Sequence, residues 1–172
     1  DLLARHGLRA DKGFGQNFLV DPAALSAVVG AAEITPGERV LEVGPGLGVL
    51  THALARAGAD VTSVELDARL LPVLAETLAD LASEPDAGSV EVIHADAMTF
   101  DLGSLPEDSK LVANLPYNVA TAVVARALES GRFNRLVFLV QREVADRLAA
   151  APSSPAYGSL SLLVAHFGRA RT

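Results

Sequence analysis

The chain has 172 residues, half of which are apolar, and it contains no cysteine. This length predicts one globular domain with its own core, and the missing cysteines exclude disulfides, thiolate metal sites and a cysteine nucleophile. A chain without cysteine fits a reducing compartment, so we expect a cytoplasmic protein. No apolar run approaches the roughly 20 residues of a membrane helix, and the N-terminus lacks signal-peptide features, so neither membrane insertion nor secretion is expected.

Charge is distributed unevenly along the sequence. The net charge is -7, yet positions 33–108 hold fifteen acidic against three basic residues, and positions 110–172 hold eight basic against three acidic. Nucleic-acid-binding proteins usually present a basic surface, so the basic C-terminal part permits RNA binding. Charge runs are more often plain solvated surface, and the pattern alone does not establish that function.

Short β-branched runs alternate with longer amphipathic segments in the first half of the chain. Asp21 followed by Pro22 predicts the cap and first turn of a helix that extends to about Ala32. The pattern then predicts a strand at 39–43, a glycine-rich turn at 44–48, a helix ending near 58, a strand at 60–65, a helix from the capping residue 67 to about 81, and a strand at 90–94.

The second half continues the same alternation. We predict a strand at 110–114, a helix at 120–130, a strand at 136–140, a helix at 142–150 and a last strand at 160–167. Parallel strands joined by crossover helices predict an α/β fold, with an open, mostly parallel, doubly wound sheet and helices on both faces. Ligands of such sheets bind beyond the carboxyl ends of the strands.

The glycine-rich turn, EVGPGLG at 42–48, leads from the first strand of this sheet into its helix. Gly44 and Gly46 permit positive φ angles and let a ligand approach bare backbone. Similar turns seat the pyrophosphate of dehydrogenase cofactors, and some bind nothing. The G-x-G-x-G spacing disfavours a dehydrogenase, as does Pro45, which removes an amide donor.

Two carboxylates follow at the ends of the next two strands. Glu65 stands about 20 residues after the turn, where a carboxylate can accept both hydroxyls of a ribose. An ordinary surface acid is the alternative at that position. Asp96 is placed where it can accept hydrogen bonds from an adenine amine, although by itself it would more often be a turn residue.

The tetrad Asn114-Leu115-Pro116-Tyr117 ends the fourth strand, at the same edge as the glycine-rich turn. The exocyclic amine of adenine is a poor nucleophile, because its lone pair is delocalised into the ring. The Asn114 side-chain oxygen and the Leu115 carbonyl can accept hydrogen bonds from this amine and aim its lone pair at a methyl group, while Tyr117 stacks on the flipped base. No strong general base is needed, so the site supplies orientation and electrostatic support. The alternative is an ordinary turn with a half-buried tyrosine.

The segment GQNFL at 15–19 precedes the first predicted helix and mixes amide side chains with two apolar anchors. It suits a flap over a cofactor, although a hydrophobic staple for the following helix explains the pattern equally simply. The four histidines, at positions 6, 52, 94 and 166, have no metal-ligand spacing, so no metal site is predicted and we interpret them as structural or surface groups.

Taken together, these motifs resemble the KsgA-type rRNA adenine N6,N6-dimethyltransferases over nearly the whole chain. The matching segments, in family order, are FGQNFL at 14–19, VLEVGPGLGVLT at 40–51, VELD at 64–67, HADA at 94–97, NLPYN at 114–118 and VFLVQREVADR at 137–147. The flap combined with NLPY, the QREVA run and AYG at 156–158 is specific to this family. The resemblance implies a Rossmann-like class I methyltransferase that uses S-adenosylmethionine.

The resemblance also implies roles for individual residues. The S-adenosylmethionine site would comprise Gln16, Asn17, Leu19, Gly44, Gly46, Glu65, Leu66, Asp96, Ala97 and Asn114, and the target adenine would be held by Asn114, Leu115, Pro116 and Tyr117. Members of the family methylate two adjacent adenines near the 3′ end of small-subunit rRNA, on a partly assembled subunit and mostly as monomers. The substrate and partner implied here is therefore rRNA in an immature small subunit.

The sequence departs from the family at two places. Gly13 stands where a basic or small polar residue is usual, which softens the predicted flap at 1–20. The chain also stops at Thr172, before the segment that completes the family's sheet and before its small helical C-terminal domain. We therefore expect residues 1–172 to form the catalytic domain alone, with cofactor binding retained and full activity on the ribosome impaired.

The sequence leaves two other functions open. A relative of the same fold methylates one adenine of large-subunit rRNA and confers macrolide resistance, although the acidic balance and the QREVADR run fit the small-subunit family better. A non-catalytic module that serves ribosome assembly is the second alternative. The carboxylates Glu65 and Asp96 and an intact NLPY tetrad argue against it.

Overall fold

The computed structural model describes residues 2–9, 18–19, 21–116 and 118–172. Within these ranges, five strands form one parallel sheet: β1 (Arg39–Val43), β2 (Asp60–Glu65), β3 (Val90–His94), β4 (Ser109–Asn114) and β5 (Phe133–Leu139). Their order is β3-β2-β1-β4-β5, so the chain builds outwards from β1 in one direction and then restarts on its other side. This reversal between β1 and β4 opens a crevice at their carboxyl ends, where doubly wound sheets bind ligands.

Helices cover both faces of the sheet. The structure has α1 (Leu2–Arg5), α2 (Pro22–Ala32), α3 (Val49–Arg56), α4 (Leu71–Thr77), α5 (Ala120–Ser130), α6 (Arg142–Leu148) and α7 (Ser159–Phe167). One core joins α2 and α3 to strand residues such as Val40, whereas the other joins α5, α6 and α7 to strand residues such as Leu41. Successive strand residues point to opposite faces, which is why a strand with adjacent apolar residues, such as Val40 and Leu41 of β1, serves both cores. No helix in the described ranges is long and apolar enough to cross a membrane.

Most predicted elements are confirmed. The strands β1, β2 and β3 and the helix α5 have the predicted bounds, and Asp21 caps α2 by accepting a hydrogen bond of 2.9 Å from the backbone N–H of Ala23. The helix predicted from Asp67 to about residue 81 is instead broken, with 3₁₀ turns at Ala68–Leu70 and Ala79–Ser83 on either side of α4. The strand β5 begins three residues earlier than predicted, at Phe133.

The strand predicted at residues 160–167 is wrong, because this segment forms α7. A short apolar run fits either a buried strand or a buried helix, and periodicity alone does not distinguish them. The helix buries Ser161 and Val164, three residues apart, against the core that contains α5 and α6. The Ser161 hydroxyl also donates to the carbonyl of Arg147 at the end of α6, over 2.6 Å. Packing against these helices therefore decides the conformation.

A carboxyl group is buried in the centre of the sheet. Glu42 of β1 is 1% exposed, and its Oε2 atom accepts hydrogen bonds from Thr51 Oγ1 in α3 at 2.6 Å and from Ser63 Oγ in β2 at 2.9 Å. Burial raises the pKa of Glu42 to about 7, although the two hydroxyl donors act in the opposite direction. This one group connects β1 to α3, which follows the glycine-rich turn, and to the neighbouring strand β2.

A buried cation ties the opposite end of the sheet together. Lys110 of β4 is 5% exposed, and its Nζ atom donates to the carbonyl of Glu33 at 2.7 Å and to Glu38 Oε2 at 2.6 Å. The hydrogen bond from Lys110 is the main reason that the pKa of Glu38 is lowered. The lysine therefore holds the end of α2 and the start of β1 against β4.

Replacing Glu42 should change how stability depends on pH. The folded chain holds a proton on Glu42 up to about pH 7, whereas the unfolded chain releases it near 4.5, so this group makes the free energy of unfolding fall by about 3 kcal/mol as the pH rises between those values. Glu42→Gln should remove most of this slope in urea titrations. Glu129→Gln, an exposed carboxylate of α5, is the control. Equal slopes for wild type and Glu42→Gln would contradict the assignment.

Replacing Lys110 should destabilise the fold. Lys110→Met removes two hydrogen bonds from a buried ammonium, and such bonds contribute about 2 kcal/mol when a charged group takes part. The matched control is Arg39→Met, whose ion pair with Asp60 spans 3.4 Å at an arginine side chain that is 57% exposed, so it should cost about 0.5 kcal/mol or less. Urea denaturation measures the free energy of unfolding of both variants. Equal losses would show that the buried contacts of Lys110 contribute no more stability than the exposed ion pair of Arg39.

Candidate active site

A cleft opens at the carboxyl ends of β1, β2 and β4, with an empty volume of about 860 Å³ that includes space open to solvent. It lies at the point where the strand order reverses. The predicted site residues that line it are Leu19, Gly44, Gly46, Glu65, Leu66, Ala97, Asn114, Leu115 and Pro116. Residues that are far apart in the sequence thus surround one cavity, as expected when the carboxyl ends of parallel strands meet at one edge.

The glycine-rich turn needs glycine for two physical reasons. Gly44 and Gly46 have φ angles of 68° and 59°, in the left-handed region that disfavours other residues. Neighbouring loops also approach closely, since a Cβ atom on Gly44 would lie 3.4 Å from Pro116 Cγ and one on Gly46 would lie 3.0 Å from Phe18 Cδ1. The turn is therefore packed between the segment before α2 and the segment after β4.

Glu65 lies at the end of β2 with its carboxylate held by backbone donors. It is 6% exposed, and it accepts hydrogen bonds from the N–H of Gly46 at 3.2 Å and of Asp67 at 2.8 Å. Burial raises the pKa of Glu65, while these donors lower it. The backbone N–H of Leu66 also donates to this group, and an ionised carboxylate has about four acceptor sites. The group can therefore accept further hydrogen bonds from a ligand in the cleft.

A small apolar wall stands beside Glu65. Leu66 is 51% exposed at the cleft, and its carbonyl lies 3.1 Å from His94 Nε2, whose N–H can donate to it. Ala95 and Ala97 line the same cleft. Such a surface suits the flat, weakly polar face of a nucleobase.

Asp96 lies between two residues of this wall but is itself exposed and is not among the described residues that line the cleft. Its Oδ1 atom accepts a hydrogen bond of 2.8 Å from the backbone N–H of Met98, as in a turn. The structure thus shows the turn role that the sequence left open. The adenine role predicted for Asp96 remains a prediction.

The segment after β4 closes the other side of the cleft. Asn114 and Pro116 line it, and the buried Leu115 is fixed by donating its N–H to the carbonyl of Leu139, over 3.1 Å. The carbonyl of Pro116 then accepts hydrogen bonds from Val119 and Ala120, which begins α5. Backbone contacts on both sides therefore hold this segment in place.

Three predicted site residues lie outside the described part of the chain. They are Gln16 and Asn17 of the flap and Tyr117 of the tetrad. Their assignments stay predictions based on the motifs.

The lining also includes residues that were not among the predicted cofactor or catalytic residues, and two of them are Phe18 and Glu42. Each carries a signal that could have been used. Phe18 stands next to Leu19 in the predicted flap, and Glu42 is the only charged residue of the run VLEV within a strand that is buried on both faces. A buried carboxyl group requires hydrogen-bonding partners. Carboxyl groups whose pKa is shifted by burial are often found near functional sites.

His52 approaches two carboxylates, which its spacing in the sequence did not predict. Its Nε2 atom lies 3.0 Å from Asp80 Oδ1, and Glu84 is close by but pairs with Arg56 Nε at 2.9 Å. Because these groups already have partners and Asp80 is largely exposed, we interpret them as a surface ion network.

The donor set of the cleft fits a nucleoside better than a pyrophosphate. Glu65 occupies one amide of the glycine-rich turn, and its negative charge would repel phosphate groups. The described residues that line the cleft include no lysine, arginine or histidine that could compensate. A ribose, by contrast, can donate its hydroxyls to the carboxylate. An acidic residue at this position also binds the ribose of NAD in dehydrogenases, so the arrangement indicates an adenosine ligand and does not by itself distinguish the two classes of enzyme.

Comparison with known proteins gives the same result as the motifs. The model of the ribosomal RNA adenine dimethylase family matches residues 7–171. A small-subunit rRNA methyltransferase A from Deinococcus radiodurans is 47% identical over 97% of this chain and 55% of its own length, and one from Streptococcus gordonii is 41% identical over 99% and 59%. The chain thus spans little more than half the length of these relatives.

Solved structures share the fold of the chain. A dimethyladenosine transferase from Plasmodium falciparum superposes with a TM-score of 0.73 and 28% identity, over 87% of this chain and 52% of that one. The 23S rRNA methyltransferase ErmE has a TM-score of 0.66 and 34% identity, over 77% and 51%. The Rossmann-like methyltransferase fold and the family inferred from the motifs are both confirmed. The chain belongs to the ribosomal RNA adenine dimethylase family.

Proposed function

We propose that residues 1–172 are the catalytic domain of an enzyme that transfers methyl groups from S-adenosylmethionine to N6 of two adjacent adenines near the 3′ end of small-subunit rRNA. The observation that carries the proposal is the single cleft in which the glycine-rich turn, Glu65 and the segment Asn114-Leu115-Pro116 meet. Relatives named small-subunit rRNA methyltransferases, 41% and 47% identical over nearly the whole chain, support the choice of substrate.

The residues around the cleft suit each part of the cofactor. Glu65 would accept the ribose hydroxyls, and the backbone of Gly44 and Gly46 would lie against the remainder of the ligand. Leu66 and Ala97 would contact the adenine ring, and Asp96 would accept from its amine after a small rearrangement of the side chain. The flap residues Gln16, Asn17 and Leu19 would cover the ligand. When bound, S-adenosylmethionine supplies an electrophilic methyl group on a positively charged sulfur.

The segment after β4 would hold the target base. The Asn114 side-chain oxygen and the Leu115 carbonyl accept hydrogen bonds from the N6 amine, which turns its lone pair towards the cofactor side of the cleft. Pro116 limits the backbone of this segment, and Tyr117 provides a stacking surface for a flipped base. The amine becomes positively charged on methylation and loses its proton easily afterwards. The site therefore needs orientation rather than a strong base.

The cellular setting follows from the same proposal. The partner is rRNA within an immature small subunit, the enzyme is a cytoplasmic monomer, and its activity contributes to ribosome biogenesis. Exposed basic residues of positions 110–172, such as Arg142, Arg169 and Arg171, would contact the phosphate backbone. A helical RNA-binding domain, as in the family, would complete the RNA-binding surface of the whole protein.

Methylation of large-subunit rRNA is the nearest alternative, and one observation favours it. The 23S rRNA methyltransferase ErmE is 34% identical to this chain and shares its fold. The higher identity to the small-subunit relatives, over a larger part of the chain, supports the first proposal.

Cofactor binding is the first test. We expect the chain to bind S-adenosylhomocysteine with a micromolar Kd in calorimetric titrations, and Glu65→Ala to weaken binding by roughly tenfold or more, because it removes an ionised hydrogen-bond acceptor. Asn114→Ala should weaken the binding of S-adenosylhomocysteine less than Glu65→Ala does. The reason is that Asn114 is proposed to contact the target adenine as well as the cofactor, and its side chain is neutral. Glu129→Ala is the control on the exposed surface. A folded wild-type chain that does not bind would refute the cofactor assignment.

Substrate choice is tested with immature small and large ribosomal subunits and radiolabelled S-adenosylmethionine. We expect dimethyladenine near the 3′ end of small-subunit rRNA, and a loss of roughly 100-fold in rate for Asn114→Ala, because a group that orients the reacting atom has been removed. Labelling of large-subunit rRNA instead would support the alternative.

A further inference from the structure

Arg126 forms a hydrogen-bonded fork between α5 and the turn that follows β3. Its Nη1 atom donates to the carbonyl of Ala97 at 2.6 Å, and its Nη2 atom donates to the carbonyl of Phe100 at 2.8 Å. The arginine lies 29 residues from Ala97 in the sequence, so the contact joins two separate elements. A planar guanidinium presents its two terminal nitrogens in a fixed fork, so Arg126 donates to each carbonyl from a separate nitrogen.

The turn that Arg126 holds carries the wall beside Glu65. The carbonyl of Asp96 accepts hydrogen bonds from the N–H groups of Thr99 and Phe100, so residues 96–100 form one helical turn. Ala97 belongs both to this turn and to the lining of the cleft. A shift of the turn would therefore move Asp96 and Ala97 together relative to any ligand in the cleft.

Packing and hydrogen bonding together hold the turn in place. Ala97, Met98 and Phe100 pack against the core that includes Val123 of α5. Apolar packing is not directional, so it constrains the orientation of the turn less than hydrogen bonds do. The two hydrogen bonds from Arg126 to the carbonyls of Ala97 and Phe100 therefore fix the orientation of the turn relative to α5.

The helix that carries Arg126 also begins at the target-base segment. Ala120, the first residue of α5, donates its N–H to the carbonyl of Pro116 over 3.0 Å. One rigid helix thus connects the segment proposed to hold the target adenine with the turn proposed to hold the adenine of the cofactor. A fixed distance between two binding segments is what in-line transfer requires.

We propose that Arg126 is a positioning residue that sets the place of Asp96 and Ala97 and thereby the recognition of the cofactor's adenine. This inference rests on the proposed function. Arg126 acts through the turn and does not touch the ligand. Its loss should therefore change which base the cleft prefers, and not only how stable the fold is.

The test compares two ligands, S-adenosylhomocysteine and S-inosylhomocysteine, in which an oxo group replaces the adenine amine. We expect Arg126→Met to raise the Kd for S-adenosylhomocysteine roughly tenfold and to reduce the preference for it over the inosine ligand. Arg126→Lys keeps the positive charge and N–H donors but loses the fork geometry of the guanidinium, so it should show a smaller loss. Arg132→Met is the matched control, because it removes the same charge from a contact of 3.5 Å with Glu107. Circular dichroism checks that each variant is folded.

A double-mutant cycle with Asp96→Asn separates positioning from a general structural effect. Asparagine keeps the turn acceptor but loses the carboxylate, so Arg126→Met should cost little selectivity in that background. Unchanged selectivity in Arg126→Met, or additive losses in the cycle, would overturn the inference alone. A wild-type chain that does not bind S-adenosylhomocysteine would overturn the proposed function and this inference with it.

Discussion

Glu42 lies in the middle of the sheet, where its carboxyl group accepts hydrogen bonds from Thr51 of α3 and Ser63 of β2. The glycine-rich turn leaves β1 just after Glu42 and enters α3 just before Thr51, so this group ties both ends of the turn to one point. A turn with several glycines is flexible in isolation. The buried carboxyl group supplies the rigid base on which the turn keeps its conformation. Glu65, in turn, holds Gly46 from the neighbouring strand.

The electrostatic character of the cleft follows from Glu65, because the described lining carries no basic side chain and Glu42 holds its proton up to about pH 7. Burial raises the pKa of Glu65, while hydrogen bonds from backbone N–H groups lower it. A carboxyl group held in this way suits a ligand that donates hydroxyls, as the ribose of the proposed cofactor does. The exposed basic residues Arg142, Arg169 and Arg171 lie instead in the later part of the chain, where RNA contacts are proposed.

The two proposed binding segments are mechanically connected. Pro116 lies so near Gly44 that a Cβ atom on Gly44 would be 3.4 Å from Pro116 Cγ. The helix α5 begins at Ala120, which donates to the carbonyl of Pro116, and it carries Arg126 to the turn after β3. Cofactor and target sites in this fold are formed by loops from different strands, and loops are its least rigid parts. The proximity of Pro116 to Gly44 and the helix α5 hold these loops at fixed positions relative to each other.

The sequence by itself determined the elements whose signals are local. Asp21 with Pro22 starts α2, β-branched runs define β1, β2 and β3, and the glycine-rich turn marks the strand edge at which the site residues collect. The conformation of residues 159–167 depended on tertiary packing, because the same apolar run fits a strand or a helix until it meets α5 and α6. The contact of Phe18 with Gly46, the hydrogen bonds of Glu42 and the fork of Arg126 were also decided by the tertiary structure. Each joins residues that a local pattern does not relate, and only the folded sheet brings the partners within hydrogen-bonding or van der Waals distance.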